Sequence, residues 1–208
     1  MKFRSILYGV GKAGNIVGRK GKGGEYIISA YQPKVHNPQT LAQMTQRYKA
    51  KAAVQSLSPF AQWAKLMIQP SGKRTYWSEL IKLNLDEAIV GSYPDFELDF
   101  SKTILANGTT LDLPYSPSAT ADGTTLSFTW ADNSGMGNAF ADDKLAFIAY
   151  NESKKQAVFN TALAERADRN ATATLPSAWT GDNVNVWIAM RSLDGKLSRS
   201  THLATLPL

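Results

Sequence analysis

The chain has 208 residues, contains no cysteine and is 43% hydrophobic. This apolar fraction is large enough for a packed core and excludes a disordered chain, and the lack of cysteine excludes disulfides, zinc thiolate sites and cysteine nucleophiles. The net charge of +6 hides an asymmetry, because residues 1–75 carry 13 Lys/Arg and one acid, whereas residues 76–208 carry 10 basic and 16 acidic side chains. Such a split predicts two surfaces with different partners.

Residues 1–36 are basic and glycine-rich, and they predict a β-hairpin. The cluster Gly21–Gly24 lies between two apolar groups, Ile16-Val17 and Tyr26-Ile27-Ile28, and its glycine content is incompatible with a stable helix. No phosphate-loop motif is present. The first apolar stretch is too short for a signal peptide, and no stretch is long enough for a transmembrane segment. We therefore expect a cytoplasmic protein or a virion component.

Helical spacing of apolar residues follows the hairpin. Asn37-Pro38 and Ser58-Pro59 each combine an N-cap residue with proline at the first helical position, and they predict two helix starts. A third helix is expected to begin at Thr75 and to stop before Gly91. Residues 1–94 are accordingly predicted to form one domain, made of the basic hairpin and two to three helices.

After residue 95 the apolar residues alternate with polar ones, which is typical of strands. Asn107-Gly108 predicts a hairpin turn. Around seven short strands with turn signals between them predict an immunoglobulin- or fibronectin-like antiparallel β-sandwich over residues 95–208, and hence an α+β fold. Trp187 falls on the other face of its strand, where it would pack under the helical region or form a contact patch. The predicted sandwich core consists of Leu126, Phe128, Trp130, Phe147, Val186 and Ile188.

The sequence offers little for catalysis. The two histidines, His36 and His202, lie in different predicted regions, which disfavours a histidine-based catalytic pair or metal cluster. A hydrolase built on carboxylates would use Glu79, Asp86 and Glu87. The position of these acids on the predicted helix indicates an ordinary solvated turn instead. The acids around residues 134–138 do not have the spacing of a calcium-binding EF-hand loop. We therefore expect no enzymatic activity, no cofactor and no metal.

The basic segment is the best functional candidate. Its cations could contact an acidic protein surface, including the acidic end of a neighbouring copy, or nucleic acid through residues 1–56. For nucleic acid, glycine amides could approach phosphates and Tyr8, Tyr26 and Tyr31 could stack on bases. A solvated face with no partner is the third alternative. The candidate contact residues are Lys2, Arg4, Lys12, Arg19, Lys20, Lys22, Lys34, Arg47 and Lys49.

Two N-terminal motifs carry a family resemblance. Gly11-Lys-Ala-Gly-Asn-Ile-Val-Gly18 and Asn37-Pro-Gln-Thr40, the latter followed by Gln43, Gln46 and Arg47, resemble an uncharacterised family common in Bacteroidetes bacteria and their mobile elements. The C-terminal half is similar to this family as well, so the resemblance spans nearly the whole chain. It implies an architecture and no activity.

These observations together predict a non-catalytic structural or interaction subunit, part of a larger assembly such as a virion or phage-like particle. It would dock on neighbouring protein subunits through the basic N-terminal segment and would not contact a membrane. The alternative is a cytoplasmic nucleic-acid-binding protein.

Overall fold

A computed structural model describes residues 10–33 and 37–208. The chain forms two compact units, Met1–Thr40 and Leu41–Leu208. The first unit contains one antiparallel sheet and the second contains all the helices and the remaining strands of the described residues. The fold is mixed α+β and mostly β, as the sequence predicts. The division into domains at residue 94 stays a prediction.

The predicted N-terminal hairpin is present within a three-stranded sheet of order β1-β2-β3. Strand β1 spans Gly11–Ala13, β2 spans Ile16–Lys20 and β3 spans Tyr26–Ala30. The glycine cluster forms the β2–β3 turn, where the amide of Gly21 donates to the carbonyl of Glu25 at 2.7 Å. The sequence did not indicate β1, because three residues are too few for an alternation pattern.

Three α-helices begin the second unit. Helix α1 spans Leu41–Leu57, α2 spans Ala61–Met67 after a short 3-10 turn at Ser58–Phe60, and α3 spans Tyr76–Leu85. Helix α3 begins next to Thr75, which confirms the predicted start, and the Thr75 hydroxyl caps the helix by accepting a hydrogen bond from the amide of Ser78.

The expected helix start at Asn37-Pro38 is wrong by about one turn. Neither residue is helical, and Gln39 has a left-handed φ of 46°. A right-handed helix cannot continue through such a residue. Helix α1 therefore begins two residues later, at Leu41.

Strands β4, Ile89–Ser92, and β5, Asp95–Leu98, form a separate two-stranded hairpin. The predicted alternation in Phe96 and Leu98 is thus a strand, but it pairs with β4 rather than with the later strands. Phe96 and Leu98 pack against the core that contains the helices.

Seven further strands form two antiparallel sheets. One sheet has the order β10-β7-β6 and the other β12-β11-β8-β9. The sequence predicts strands near residues 126–130, 145–150, 157–159, 172–175, 184–190 and 198–206, which correspond to all of these strands except β6, whose polar and small residues hide it. The strands are β6 Tyr115–Asp122, β7 Thr125–Ala131, β8 Lys144–Asn151, β9 Gln156–Glu165, β10 Asn170–Thr174, β11 Asn183–Arg191 and β12 Thr201–Pro207.

The four-stranded sheet is buried on both faces. One face packs on the sheet of order β10-β7-β6. The core between these two sheets holds all six residues predicted for the sandwich core. The other face packs on the helices, in a second core that includes Trp63, Phe60 and Trp187. The prediction that Trp187 packs under the helical region is therefore confirmed. The Trp187 indole N–H is the one buried side-chain polar group among the described residues without a hydrogen-bond partner.

The hairpin predicted at Asn107-Gly108 is wrong, because residues 104–107 instead connect the helices to the sheet. The Asn107 side chain binds both the amide and the carbonyl of Gln69, each at 2.7 Å. The carbonyl of Leu105 accepts from the Trp63 indole, and its amide donates to Ser200. The side chain of Asn107 is thus used in bonds to another segment, which a local turn motif does not reveal.

A buried ion pair lies at one end of the two packed sheets. Arg166 and Asp143 are fully enclosed, with Nη2 and Oδ2 2.9 Å apart. The guanidinium also donates to the side chain of Asn133 and to the carbonyls of Asp112 and Phe140. A single side chain therefore joins the segment before β6, the β7–β8 loop and the end of β9.

Replacing Arg166 with methionine is expected to lower the free energy of unfolding by about 3–5 kcal/mol, because it leaves the Asp143 carboxylate buried without its partner. Lys102→Met is the matched control: Lys102 is 57% exposed and pairs with Asp99 on the surface, so its loss should cost at most about 1 kcal/mol. Urea unfolding measures both values. Equal midpoints for the two variants would contradict the assignment of Arg166 as a structural centre.

The stability of the protein should also depend on His202. Burial lowers the pKa of this imidazole, and the Asp99 carboxylate opposes the shift weakly. Because the unfolded chain then binds a proton more readily than the folded one, stability is retained above pH 6.5, the ordinary histidine value, and is lost as the pH falls below it. The melting temperature of His202→Gln should consequently fall less than that of the wild type between pH 7 and pH 5. Parallel curves for the two proteins would rule out this contribution.

Candidate interaction surface

The N-terminal sheet, residues 11–30, has two different faces. Pairing places Ile16 beside Ala30, Gly18 beside Ile28 and Lys20 beside Tyr26. Because side chains alternate between faces along a strand, one face carries Ile16, Ile28 and Tyr26, all more than 40% exposed, together with Lys20. The opposite face carries Lys12, Val17, Arg19 and Ile27. None of residues 10–33 is buried, so the described part of this unit has no enclosed core.

Four predicted contact residues lie on this small unit. Lys12 is on β1, Arg19 and Lys20 are on β2, and Lys22 is in the following turn, and all four side chains are exposed. Glu25 is the only acid in residues 10–33, so this segment has a net charge of +3. The structure thus combines exposed cations and exposed apolar side chains on one sheet.

The glycine turn is already occupied by groups of the protein. The amides of Gly21 and Gly24 donate to backbone carbonyls within the turn. The Glu25 carboxylate lies against the glycines, and a Cβ atom at Gly23 would be 2.7 Å from its Oε2. A phosphate approaching this turn would meet the Glu25 carboxylate, which has the same sign of charge.

One face of the Tyr31 ring is covered, so this ring does not offer both faces for stacking. The Lys12 ammonium lies 3.4 Å from the centroid of its ring, in a cation–π contact. The Tyr31 amide donates to the carbonyl of Asn15. Tyr26 remains exposed, whereas Tyr8 lies outside the described residues, together with the predicted contact residues Lys2, Arg4 and Lys34.

Arg47 and Lys49 belong to the second unit, on helix α1. At about 100° per residue, two positions separate their side chains by about 200° around the helix, so they point to different sides. Arg47 is exposed and Lys49 is half-buried. The nine predicted residues therefore do not all belong to one element.

A second exposed surface is formed by apolar residues of the strand-rich second unit. Tyr115, Met136, Phe140 and Leu193 are between 54% and 70% exposed and lie at the end of the sheets where Arg166 is buried. The Tyr115 hydroxyl lies 3.7 Å from the Met136 sulfur. Phe140 and Leu193 line one cavity of about 230 Å³. We call these four residues the loop-end surface. The sequence did not indicate this surface, because Tyr115 begins β6 and the other three residues belong to two separate loops.

Three of the carboxylates considered for chemistry bind neighbouring groups in this fold, whereas Asp86 and Glu87 are exposed in a turn as expected. Glu79 was expected in a solvated turn, and that expectation is wrong: it is buried and accepts hydrogen bonds from the amide and hydroxyl of Ser71. Asp143 pairs with Arg166, and Asp132 accepts from Ser134, which holds the pKa of Asp132 below its ordinary value. Across residues 10–33 and 37–208, no three potential metal-ligating His, Cys, Asp or Glu residues lie together.

Among the described residues, no helix is both long enough and apolar enough to cross a bilayer. A comparison with curated proteins gave no match. Residues 8–204 match the model of a family of unknown function, DUF6266. This match covers the hairpin motif, the three helices and all but the end of the last strand, so the chain belongs to the DUF6266 family.

Proposed function

We propose that this protein is a non-catalytic interaction subunit that docks on a neighbouring protein subunit through its basic N-terminal sheet. The observation that carries the proposal is the sheet itself, which exposes Ile16, Ile28 and Tyr26 beside several cations and buries no residue of 10–33. A sheet of this size needs a second layer to enclose an apolar face. A protein partner supplies both that layer and acidic groups for the cations.

The proposal extends to the kind of assembly and to the fold. We propose that the assembly is a virion or a phage-like particle, and that residues 115–207 form an immunoglobulin- or fibronectin-like sandwich. Support for the sandwich comes from seven antiparallel strands in sheets of three and four with a shared core, which is the architecture of that group. Support for a non-catalytic role comes from Glu79 and Asp143, whose carboxylates bind neighbouring side chains.

Nucleic-acid binding in the cytoplasm is the second candidate. The exposed Arg19, Lys20 and Lys22 favour it, since clustered cations attract phosphates without sequence preference. The exposed apolar face and the Glu25 carboxylate in the turn favour a protein instead.

Charge reversal separates the two candidates. In pull-downs of the tagged full chain from its native cells at low salt, Arg19→Glu/Lys20→Glu should lose the protein that the wild type retains, because it replaces attraction by repulsion. Lys65→Glu/Lys73→Glu makes the same change in charge at exposed positions of the second unit and should retain that protein.

Filter binding of DNA and RNA over a salt series completes the comparison. We expect no retention that depends on Arg19 and Lys20. Nucleic acid held at low salt by the wild type and released by the reversal variant, with no protein partner in the pull-down, would replace the proposal with the alternative.

A further inference from the structure

We infer that the loop-end surface is the place where the N-terminal sheet of a second copy of this chain docks. The inference rests on the proposed function and adds the identity of the partner and its contact surface. The loop-end surface exposes four large apolar side chains. In soluble proteins, an exposed apolar patch often marks an interaction site.

The loop that supplies Met136 and Phe140 is held by several hydrogen bonds. Phe140 and Met136 belong to the β7–β8 loop, whose Asn133 and Phe140 both bind the buried Arg166 guanidinium. Within the same loop, the amide of Gly135 donates to Ala139 and that of Met136 donates to Asn133. A surface fixed in this way loses little conformational entropy when a partner binds.

The segment before β6 completes the surface. Arg166 Nη2 donates to the carbonyl of Asp112 at 2.8 Å, and the Asp112 carboxylate accepts from the amide of Asn138 at 3.1 Å. Leu111 lines the cavity of Phe140 and Leu193, while Asp112 and Leu113 line a second cavity with Tyr115 and Met136. Two adjacent concavities therefore flank residues 111–113, and each contains exposed apolar side chains.

The charge around these concavities is negative. Asp112, Asp142 and Asp194 are exposed there, and Lys196 is the cation in their lining. Asp143 is already neutralised by Arg166. The net charge of these groups is −2, and phosphates would be repelled from it.

The N-terminal sheet has the complementary composition. It offers exposed Ile16, Ile28 and Tyr26 for the apolar concavities, and a net charge of +3 against the acidic rim. Apolar and aromatic centres surrounded by complementary charges are typical of specific protein interfaces. Among the possible occupants, a second copy of this chain therefore supplies both the apolar and the basic groups.

This contact joins two different surfaces, so a pair of copies keeps one free donor sheet on one copy and one free acceptor surface on the other. Such heterologous association produces rings when the rotation closes and filaments when it does not. In a head-to-tail contact, a variant with a defective sheet and a variant with a defective acceptor surface can still bind each other.

Sedimentation of the full chain at low salt tests the inference. The wild type should form oligomers whose mass rises with concentration, and added salt should dissociate them because exposed charges are screened. The acceptor variant Phe140→Ser/Leu193→Ser and the donor variant Arg19→Glu/Lys20→Glu should each associate at least about tenfold more weakly. Val54→Ser/Leu66→Ser removes two exposed apolar side chains from helices α1 and α2 and should leave association unchanged. Circular dichroism melting checks that each variant is folded.

Mixing the two defective variants gives the decisive result. The donor variant retains an intact acceptor surface and the acceptor variant retains an intact sheet, so together they should form a 1:1 complex and nothing larger. Association that persists in the acceptor variant but not in the donor variant would overturn the loop-end site and leave the proposed function standing. A wild type that remains monomeric would also overturn this inference, and only a failed pull-down in addition would remove the proposed function.

Discussion

The buried pair between Arg166 and Asp143 is the interaction on which the end of the fold depends. A charge without solvent is costly unless every one of its donors is used, and here the guanidinium donates to Asp143, Asn133 and two backbone carbonyls. The backbone of Arg166 contributes as well, since its carbonyl accepts from the Trp130 indole at 2.7 Å. The pair thus joins three chain segments. One of them is the β7–β8 loop, which carries Met136 and Phe140, so the pair holds this part of the loop-end surface in place.

The four-stranded sheet of order β12-β11-β8-β9 explains why the helices pack within the second unit. Its central strands β8 and β11 are buried on both faces, with Val186 and Ile188 in one core and Trp187 in the other. A solvent-facing sheet would have required polar residues at every second position. The helices therefore cover a face that could not be exposed to water, and Asn84 helps to hold α3 in place through hydrogen bonds to the backbone of Ile104.

The sequence predicted the elements whose pattern is local. Alternation and turn signals located six of the seven strands in residues 115–207 and the six core residues, and the spacing of apolar residues located α3. The failures were of another kind. Asn107-Gly108 has the composition of a turn but bonds to Gln69, and Glu79 resembles a surface residue but is buried beside Ser71. Such contacts join positions distant in the chain or depend on tertiary burial, which neither periodicity nor propensity records.

For the candidate surfaces too, the sequence indicated the composition but not the three-dimensional arrangement of the residues. The charge asymmetry predicted the basic sheet, because a count of lysines and arginines needs no structure. It could not show that Ile16, Ile28 and Tyr26 share one exposed face, since that depends on the pairing of β2 with β3. Nor could it show that the amides of Gly21 and Gly24 are bonded within the turn and that the Glu25 carboxylate lies against the glycines. These two facts change the chemistry expected of the ligand. A purely cationic segment would suit any polyanion, whereas an apolar face with cations beside it is complementary to a protein surface that is itself apolar and acidic.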